Sequence, residues 1–449
     1  MRFSRVLVFF CAFLLFFILM GCGQPLAAIE EEIASGHAEQ LRLDDADVST
    51  ILALKNIEPL VLDLAWERAF PQFFTASVSP GGDLVTVFST FSEGRRKWMG
   101  LKVFDTRGDL VWEHLFKDGE YRSGWGRVLS PSNHIGAAAF HYNGMGNFYL
   151  FDSLGRLLWT RPVWGNVSAV MSVEAERLAL IDHARGMLYL LDLSGQELRS
   201  YPVTTGATAQ FMHGGDYLLV QDGKQVFIVT ARGRQVFKST VDPETQRHAT
   251  FSHGGKYIAV STGDGDSSVY LFDFAGQQLW SYLLYFGGTN QLAFSPDDSY
   301  LAVYDVGRRA GLYLFDVETG ELAWRYFFEV PAEHKVSLRH LAFTPDSSLV
   351  VAHVVEGYQD QTIGFTEKHA LVVFTIDGKV KWKADLGKNI EYHLSANGKA
   401  LVIGSNSIAG NGDFPSNTLA YYNLDPLLTP FEGKEEDHEA GGSGTTKGD

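Results

Sequence analysis

The chain has 449 residues, of which 45% are hydrophobic and 20% charged, and its formal net charge at pH 7 is -16. This composition fits one large globular domain, and the acidic balance argues against nucleic acid or an anionic lipid surface as the main partner. Its two cysteines, Cys11 and Cys22, both precede the predicted folded part. A disulfide framework or a cysteine-based metal site in that part is therefore excluded.

The first 22 residues have the layout of an export signal. Arg2 and Arg5 form a positive start, an apolar core follows over 6–18, and the run ends in Leu19-Met20-Gly21-Cys22. That ending matches the bacterial lipobox, in which the cysteine is acylated and becomes the new N-terminus. We expect an exported protein with a lipid anchor on Cys22, held to the cell membrane or to an outer membrane. The alternative is an uncleaved membrane anchor.

Low-complexity segments flank the predicted domain. Residues 23–58 are acidic and are interpreted as a tether with one short helix around 46–55. Residues 432–449 are rich in glycine and charge, which predicts a disordered tail. The folded domain is therefore expected over 59–431.

One turn phrase followed by an apolar run occurs eight times. The first residues of these turns lie 40 to 51 positions apart: Ser79, Ser130, Ser172, Met212, Ser252, Ser295, Thr344 and Ser395. In most copies a strand then ends in Asp, followed by Gly and an aromatic residue, as in Asp105…Gly108…Trp112 and Asp316…Gly320…Trp324. This period with strand and turn content is typical of β-propeller blades, each a four-stranded sheet.

The repeat also predicts how the ring closes. The eighth copy lacks a last strand, whereas an isolated strand-like segment, 64–70, precedes the first turn and is similar to 322–328 of the sixth copy. We therefore predict an all-β, eight-bladed propeller in which this N-terminal strand completes the last blade and leaves no open sheet edge. Seven blades are the alternative, if one copy is degenerate.

The repeated Asp, Gly and Trp residues are interpreted as structural, and function is expected on the opposite face, in the irregular loops. Three loops stand out there: 89–98, the insertion 354–369 and 405–417. The candidate binding face comprises basic and aromatic residues: Arg95, Arg96, Lys97, Arg308, Arg309, Trp125, Trp164, Tyr285 and Tyr358. Solvated loops with aromatics packed between blades are the alternative.

Metal and catalytic motifs are weak in this sequence. Asp264 and Asp266 alternate with glycine as in calcium loops, but no distant glutamate completes a ligand set, so no metal is predicted. His248, His340 and His393 lie near the starts of first strands, where an anion-binding ring at the channel mouth is one interpretation and packing another. No nucleophile elbow, phosphate loop or zinc-protease motif occurs.

The repeat Tyr-Leu-Phe-Asp-x-x-x-Gly-x-x-x-x-Trp resembles that of the quinoprotein (PQQ-like) propellers, and turns such as Phe294-Ser295-Pro296-Asp297 resemble those of WD-repeat propellers. Quinoprotein dehydrogenases hold their cofactor with a vicinal disulfide and calcium, and the folded part of this chain has no cysteine for the first. The resemblance therefore implies the non-enzymatic branch and no cofactor. The layout of lipobox, tether and eight blades is similar to the lipoproteins of the outer-membrane β-barrel assembly machinery.

Two function classes follow from these observations. The first is a lipid-anchored, monomeric scaffold whose loop-rich face binds a protein or glycan of the cell envelope. The second is an enzyme of hydrolase, lyase or quinoprotein type with its site at the channel mouth. An enzyme would bring several unrepeated ionisable residues together there, whereas a scaffold would present an apolar and aromatic patch.

Overall fold

Nearly all of the described chain is β-structure. The protein is represented by a computed structural model that describes residues 59–70, 74–93, 96–117, 121, 123–129, 134–141, 143–172, 176–212, 214–223, 225–230, 232–239, 246–263, 267–284, 289–306, 310–328, 333–360, 364–388, 390–395, 397–405 and 418–428. Within these ranges, no helix is long and apolar enough to cross a membrane. The predicted signal, tether and tail lie outside them.

The strands form eight four-stranded antiparallel sheets, which confirms eight blades. Blade one contains β2 (Phe74–Val78), β3 (Leu84–Glu93), β4 (Arg96–Asp105) and β5 (Leu110–Phe116). Blade two contains β6 (Ser123–Val128), β7 (Ile135–Phe140), β8 (Met145–Phe151) and β9 (Leu157–Trp164). Blade three contains β10 (Val167–Ser172), β11 (Arg177–Asp182), β12 (Met187–Asp192) and β13 (Glu197–Pro202). Blade four contains β14 (Thr208–Phe211), β15 (Tyr217–Asp222), β16 (Gln225–Thr230) and β17 (Gln235–Lys238).

The remaining blades follow in chain order. Blade five contains β18 (Gln246–Phe251), β19 (Tyr257–Thr262), β20 (Ser267–Asp273) and β21 (Gln278–Leu284). Blade six contains β22 (Thr289–Phe294), β23 (Tyr300–Asp305), β24 (Gly311–Asp316) and β25 (Leu322–Phe327). Blade seven contains β26 (Lys335–Phe343), β27 (Leu349–Asp360), β28 (Gly364–Thr375) and β29 (Val380–Lys388). Blade eight contains β30 (Glu391–Leu394), β31 (Ala400–Ser405) and β32 (Thr418–Asn423), and a helical turn, α1 (Asp425–Leu428), follows.

The fourth strand of blade eight comes from the start of the described chain, as predicted. This strand, β1 (Leu64–Ala69), pairs antiparallel with β32, with Glu67 opposite Ala420 and Ala69 opposite Thr418. The Trp66 ring stacks on Tyr421 with centroids 5.5 Å apart. Just before β1, Leu60 N donates to Lys383 O of blade seven at 2.6 Å. The two ends of the propeller are therefore joined within one sheet.

The repeated turn residues hold the blades through the backbone. Ser295 Oγ accepts from Tyr300 N at 2.9 Å, and Ser395 Oγ accepts from Ala400 N at the same distance. At the other turn, Asp192 Oδ1 accepts from the backbone N–H groups of residues 194 and 196. The Ser194 hydroxyl, which donates to this carboxylate, and the backbone donors lower the pKa of Asp192. These hydrogen bonds give the repeated polar residues a structural role.

The repeated Trp and Gly residues join neighbouring blades. Trp280 Nε1 of blade five donates to Val317 O of blade six at 2.9 Å, and its ring covers Gly320. Trp324 makes the equivalent contact with the next blade, donating to Ile376 O at 2.9 Å. Trp66 covers Gly108 of blade one in the same way, so the closing strand also carries this contact.

The core lies in the seams between blades. Second strands are covered on both sides, and all six residues of β7 are buried, whereas β1 at the rim is mostly exposed. The seam between blades seven and eight contains fifteen buried residues, including Val351, Leu371 and Leu401. Every blade buries both faces of its inner strands, so apolar side chains at successive positions of these strands are buried together.

Candidate functional site at the loop-rich face

Strand order assigns each connection to one of two faces of the ring. In an antiparallel blade, the turns joining strands one to two and three to four lie at one end of the sheet. The hairpins joining strands two to three, and the links to the next blade, lie at the other end. The first face carries the short repeated turns. The second, the loop-rich face, carries the sequence-predicted candidates.

Two of the predicted irregular loops are in fact regular hairpins, so that part of the interpretation is wrong. In blade one, β3 and β4 stay paired as far as Glu93 opposite Arg96. In blade seven, β27 and β28 stay paired through Asp360 opposite Gly364. Continued backbone pairing satisfies hydrogen-bonding groups that an irregular loop would have to expose or bond elsewhere. Of the third loop, 405–417, Ser405 ends β31, and the rest lies outside the described residues.

The blade seven hairpin extends beyond the rest of its sheet. Its neighbour β26 stops pairing at Gly357, and β29 stops at Lys368. Residues 358–360 and 364–367 therefore form a two-stranded tip. At about 3.4 Å per residue, the tip projects roughly 10 Å from the four-stranded part.

Phe365 is the exposed apolar side chain of this tip. Its side chain is 67% exposed, and its ring lies over Gly357, where an added Cβ would be 3.1 Å from Phe365 Cζ. Exposed aromatic residues are costly in water and are enriched at the centres of protein interfaces. The sequence did not predict Phe365 as a face residue, because its exposure depends on the pairing of the hairpin.

The opposite side of the hairpin holds Tyr358, one of the predicted face residues. The Tyr358 ring stacks on His334 with centroids 4.7 Å apart, and Lys368 Nζ lies 4.9 Å from the Tyr358 ring centroid. His334 Nδ1 in turn contacts Glu356 Oε1 on the same hairpin. These contacts fix Tyr358 and brace the base of the tip against the link from blade six.

The other predicted residues divide into four groups. Trp164 ends β9 and is 39% exposed, with the Arg185 guanidinium 5.6 Å from its ring centroid. Trp125 is half-buried and packs into the seam between blades two and three, 6.1 Å from Phe148. Arg96 and Lys97 lie on β4. Outside the described residues are Arg95, Arg308, Arg309 and Tyr285, together with Asp264, Asp266 and Cys22.

The histidines with large pKa shifts are buried or half-buried rather than open to a ligand. Burial lowers the pKa of His340 to about 4, and burial with the neighbouring His369 lowers that of His353 to about 2. His353 is 0% exposed and His369 is buried beside it, so neither is accessible to a substrate. His340 lies directly across from His353 in the sheet. Among the described residues, no group of three His, Asp, Glu or Cys side chains is arranged to hold a metal ion.

Comparison with protein families identifies a partial match. Residues 265–425, which cover blades five to eight from β20 onward, match the family described as outer membrane protein assembly factor BamB. No curated protein sequence matches the chain significantly.

Solved propeller structures resemble the whole described domain at low identity. The C-terminal WD40 domain of Sif2 is 10% identical with a TM-score of 0.56, covering 82% of this chain and 99% of that one. Chaetomium thermophilum Sqt1, bound to the N-terminus of ribosomal protein L10, is 13% identical with a TM-score of 0.53, covering 78% and 96%. BamB from Moraxella catarrhalis is 13% identical with a TM-score of 0.49, covering 81% and 98%.

The chain is an eight-bladed β-propeller closed by β1, and it is similar to PQQ-like and WD-repeat propellers.

Proposed function

We propose that this chain is an exported bacterial lipoprotein that acts as a protein-binding scaffold of the cell envelope, anchored through Cys22. Two observations support the compartment: the lipobox at the end of the apolar start, and the match of 265–425 to an outer membrane assembly factor family. The ring is proposed to be monomeric. No bound cofactor is invoked.

The observation that carries the binding role is the blade seven hairpin. It places Phe365, 67% exposed, on a braced two-stranded tip at the loop-rich face. A rigid tip loses little conformational entropy on binding, so an exposed aromatic there serves as an anchor for a partner pocket. The proposed face also includes Trp164 and Tyr358, with the basic residues Arg95, Arg96, Lys97, Arg308 and Arg309 at its rim. Tyr285 and Trp125 complete the proposed set.

The docking role is tested by replacing Phe365 and a matched residue on the other face. Leu154 is 71% exposed and lies in the turn between β8 and β9, on the face of the short turns. We expect Phe365→Ala to weaken capture of an envelope partner by at least about tenfold, as a lost interface hot spot does. Leu154→Ala should leave capture unchanged. Quantitative mass spectrometry of crosslinked envelope material measures both.

Unchanged capture by Phe365→Ala, with both variants as stable as the parent, would contradict the docking role of the hairpin. If the parent chain captures a polysaccharide instead of a protein, and Phe365→Ala does not, the loop-rich face remains the docking surface. The partner class is then a glycan.

The lipid anchor on Cys22 is tested by comparing the two cysteines. Cys22→Ser should abolish incorporation of an alkynyl palmitate label, because the acyl chains are expected on this residue. Cys11→Ser should keep the label, since Cys11 lies inside the apolar core of the signal. Label retained on the Cys22→Ser protein would contradict the lipobox assignment.

A further inference from the structure

Four aromatic and imidazole rings meet in the seam between blades seven and eight. His353 on β27 and His369 on β28 are 0% and 4% exposed, and His369 Nδ1 lies 3.2 Å from His353 Nε2. Across the seam, Tyr392 of β30 meets the His353 ring edge to face, with centroids 3.5 Å apart. His340 on β26 lies opposite His353 in the sheet. We refer to His340, His353, His369 and Tyr392 as the seam cluster.

The seam cluster has little capacity to accept positive charge. His353 Nδ1, His369 Nε2 and His340 Nε2 are buried without a hydrogen-bond partner. A proton added to His353 Nδ1 or His340 Nε2 would therefore create a cation that lacks both water and an acceptor, whereas His369 Nε2 has the Glu367 carboxylate 3.7 Å away. Because His353 and His369 are in contact, protonation of both would also bring two positive charges together.

The charged groups around the cluster do not offset this cost. From β26, Arg339 lowers the pKa of both His353 and His369 further, although burial is the main cause. From β28, Glu367 has the opposite effect on His369, but it is also paired with Arg339 Nη2 at 2.9 Å. From β30, Tyr392 is half-buried, and this desolvation raises its pKa to about 12 and keeps it neutral. His393, the next residue, points to the other side of β30.

The cluster also lies at a weak part of the ring. β30 has only four residues, and within its sheet it pairs with β31 alone. The last strand of the same sheet is β1, which is supplied from the other end of the chain. Local opening generally begins where short elements with few hydrogen bonds meet. Loss of the seam cluster packing would therefore act on β30 first.

We propose that the seam cluster is an acid-sensitive latch, which keeps blades seven and eight together at neutral pH and opens their seam when its imidazoles become protonated. This inference is independent of the proposed binding function. It concerns only the seam below the blade seven hairpin, so failure of either proposal leaves the other standing.

The direction of the pH effect follows from the lowered histidine pKa values. An opened or unfolded chain binds protons near the ordinary value of 6.5, whereas the closed seam resists them. The closed form is therefore fully favoured above about 6.5 and loses stability as the pH falls below that value. Each of the three histidines contributes up to about a tenfold change in the closed-to-open ratio per pH unit.

Hydrogen exchange, corrected for its intrinsic pH dependence, tests the latch in the intact chain. Between about pH 7 and about pH 5, where ordinary histidines titrate, protection of β30 and of the facing parts of β27 and β28 should fall at least about tenfold. Peptides from blades three and four should keep their protection. In His353→Gln, β30 protection should fall less steeply than in the parent chain, by up to about tenfold per pH unit. His253→Gln, which changes an exposed turn residue, should leave the fall unchanged.

His369→Gln serves as a second variant if His353→Gln does not fold, and the same reduction is expected. The latch is overturned if β30 protection is independent of pH, or if all blades lose protection together. It is equally overturned if the folded histidine variant shows the same pH dependence as the parent chain.

Discussion

Trp66→Ala is expected to lower the free energy of unfolding by about 2 to 3 kcal/mol, somewhat less than the loss of a fully buried tryptophan. The Trp66 ring stacks on Tyr421 and covers Gly108, so it contacts both sides of the junction between blade eight and blade one. Its loss removes apolar contacts between β1 and β32, which are neighbours in the sheet but lie at opposite ends of the propeller sequence. Urea denaturation followed by tryptophan fluorescence measures the change.

Trp164→Ala is the matched control for that substitution. Trp164 is 39% exposed and its cation–π partner, Arg185, lies in the hairpin between β11 and β12 of blade three, so its loss should cost less than about 1 kcal/mol. If both variants lose the same free energy of unfolding, the contacts of Trp66 on β1 do not stabilise the closure of the ring.

Gly320→Ala is expected to cost about 3 kcal/mol, because two separate penalties meet at one residue. Gly320 has a φ of +74°, in the left-handed region that an L-residue enters at a cost of about 1 to 2 kcal/mol. An added Cβ would also lie 2.7 Å from Trp280 Cγ, and overpacking of this kind costs about 1 to 3 kcal/mol.

Two other glycines separate these penalties. Gly214 has a φ of +84° but no atom within 4 Å of an added Cβ, so Gly214→Ala should show the backbone cost alone. Gly206 has neither feature, and Gly206→Ala should change stability by less than about 0.5 kcal/mol. Equal losses in Gly320→Ala and Gly214→Ala would show that the contact between Trp280 and Gly320 contributes nothing to holding blades five and six together.

The sequence predicted the blade number and the closure because both depend on local signals. Turns such as Ser295-Pro296-Asp297-Asp298 need specific residues, and a turn of this kind occurs once in each blade. Blades three and four were harder to recognise because they lack the repeated tryptophan. In the structure Arg199 and Tyr201 cover Gly233, and Phe237 covers Gly276, so other side chains fill the same space.

The blade seven hairpin is longer than the repeat predicts. The repeat implies second and third strands of about six residues, as in β23 and β24, so additional residues were interpreted as loop. β27 and β28 have twelve residues each, and the end of their extra length, 358–360 and 364–367, is paired only within the hairpin. The exposure of Phe365 depends on that pairing and has no local sequence signal.

The seam cluster could not be assembled from sequence at all. His340, His353 and His369 belong to three strands, and a register shift between Leu338 and His340 sets which residue faces His353. Tyr392 comes from the next blade. Bulges change which face a side chain occupies, and no residue pattern in β26 fixes that shift uniquely.

Site-specific photo-crosslinking in intact cells tests the central claim, that the loop-rich face docks an envelope protein through blade seven. A photoreactive phenylalanine analogue replaces Phe365 in one variant and Leu154 in the other, two positions of similar exposure on opposite faces. We predict one discrete protein adduct from position 365 and none of the same mass from position 154. An identical adduct from both positions, or an adduct from 154 alone, would contradict docking through the blade seven hairpin.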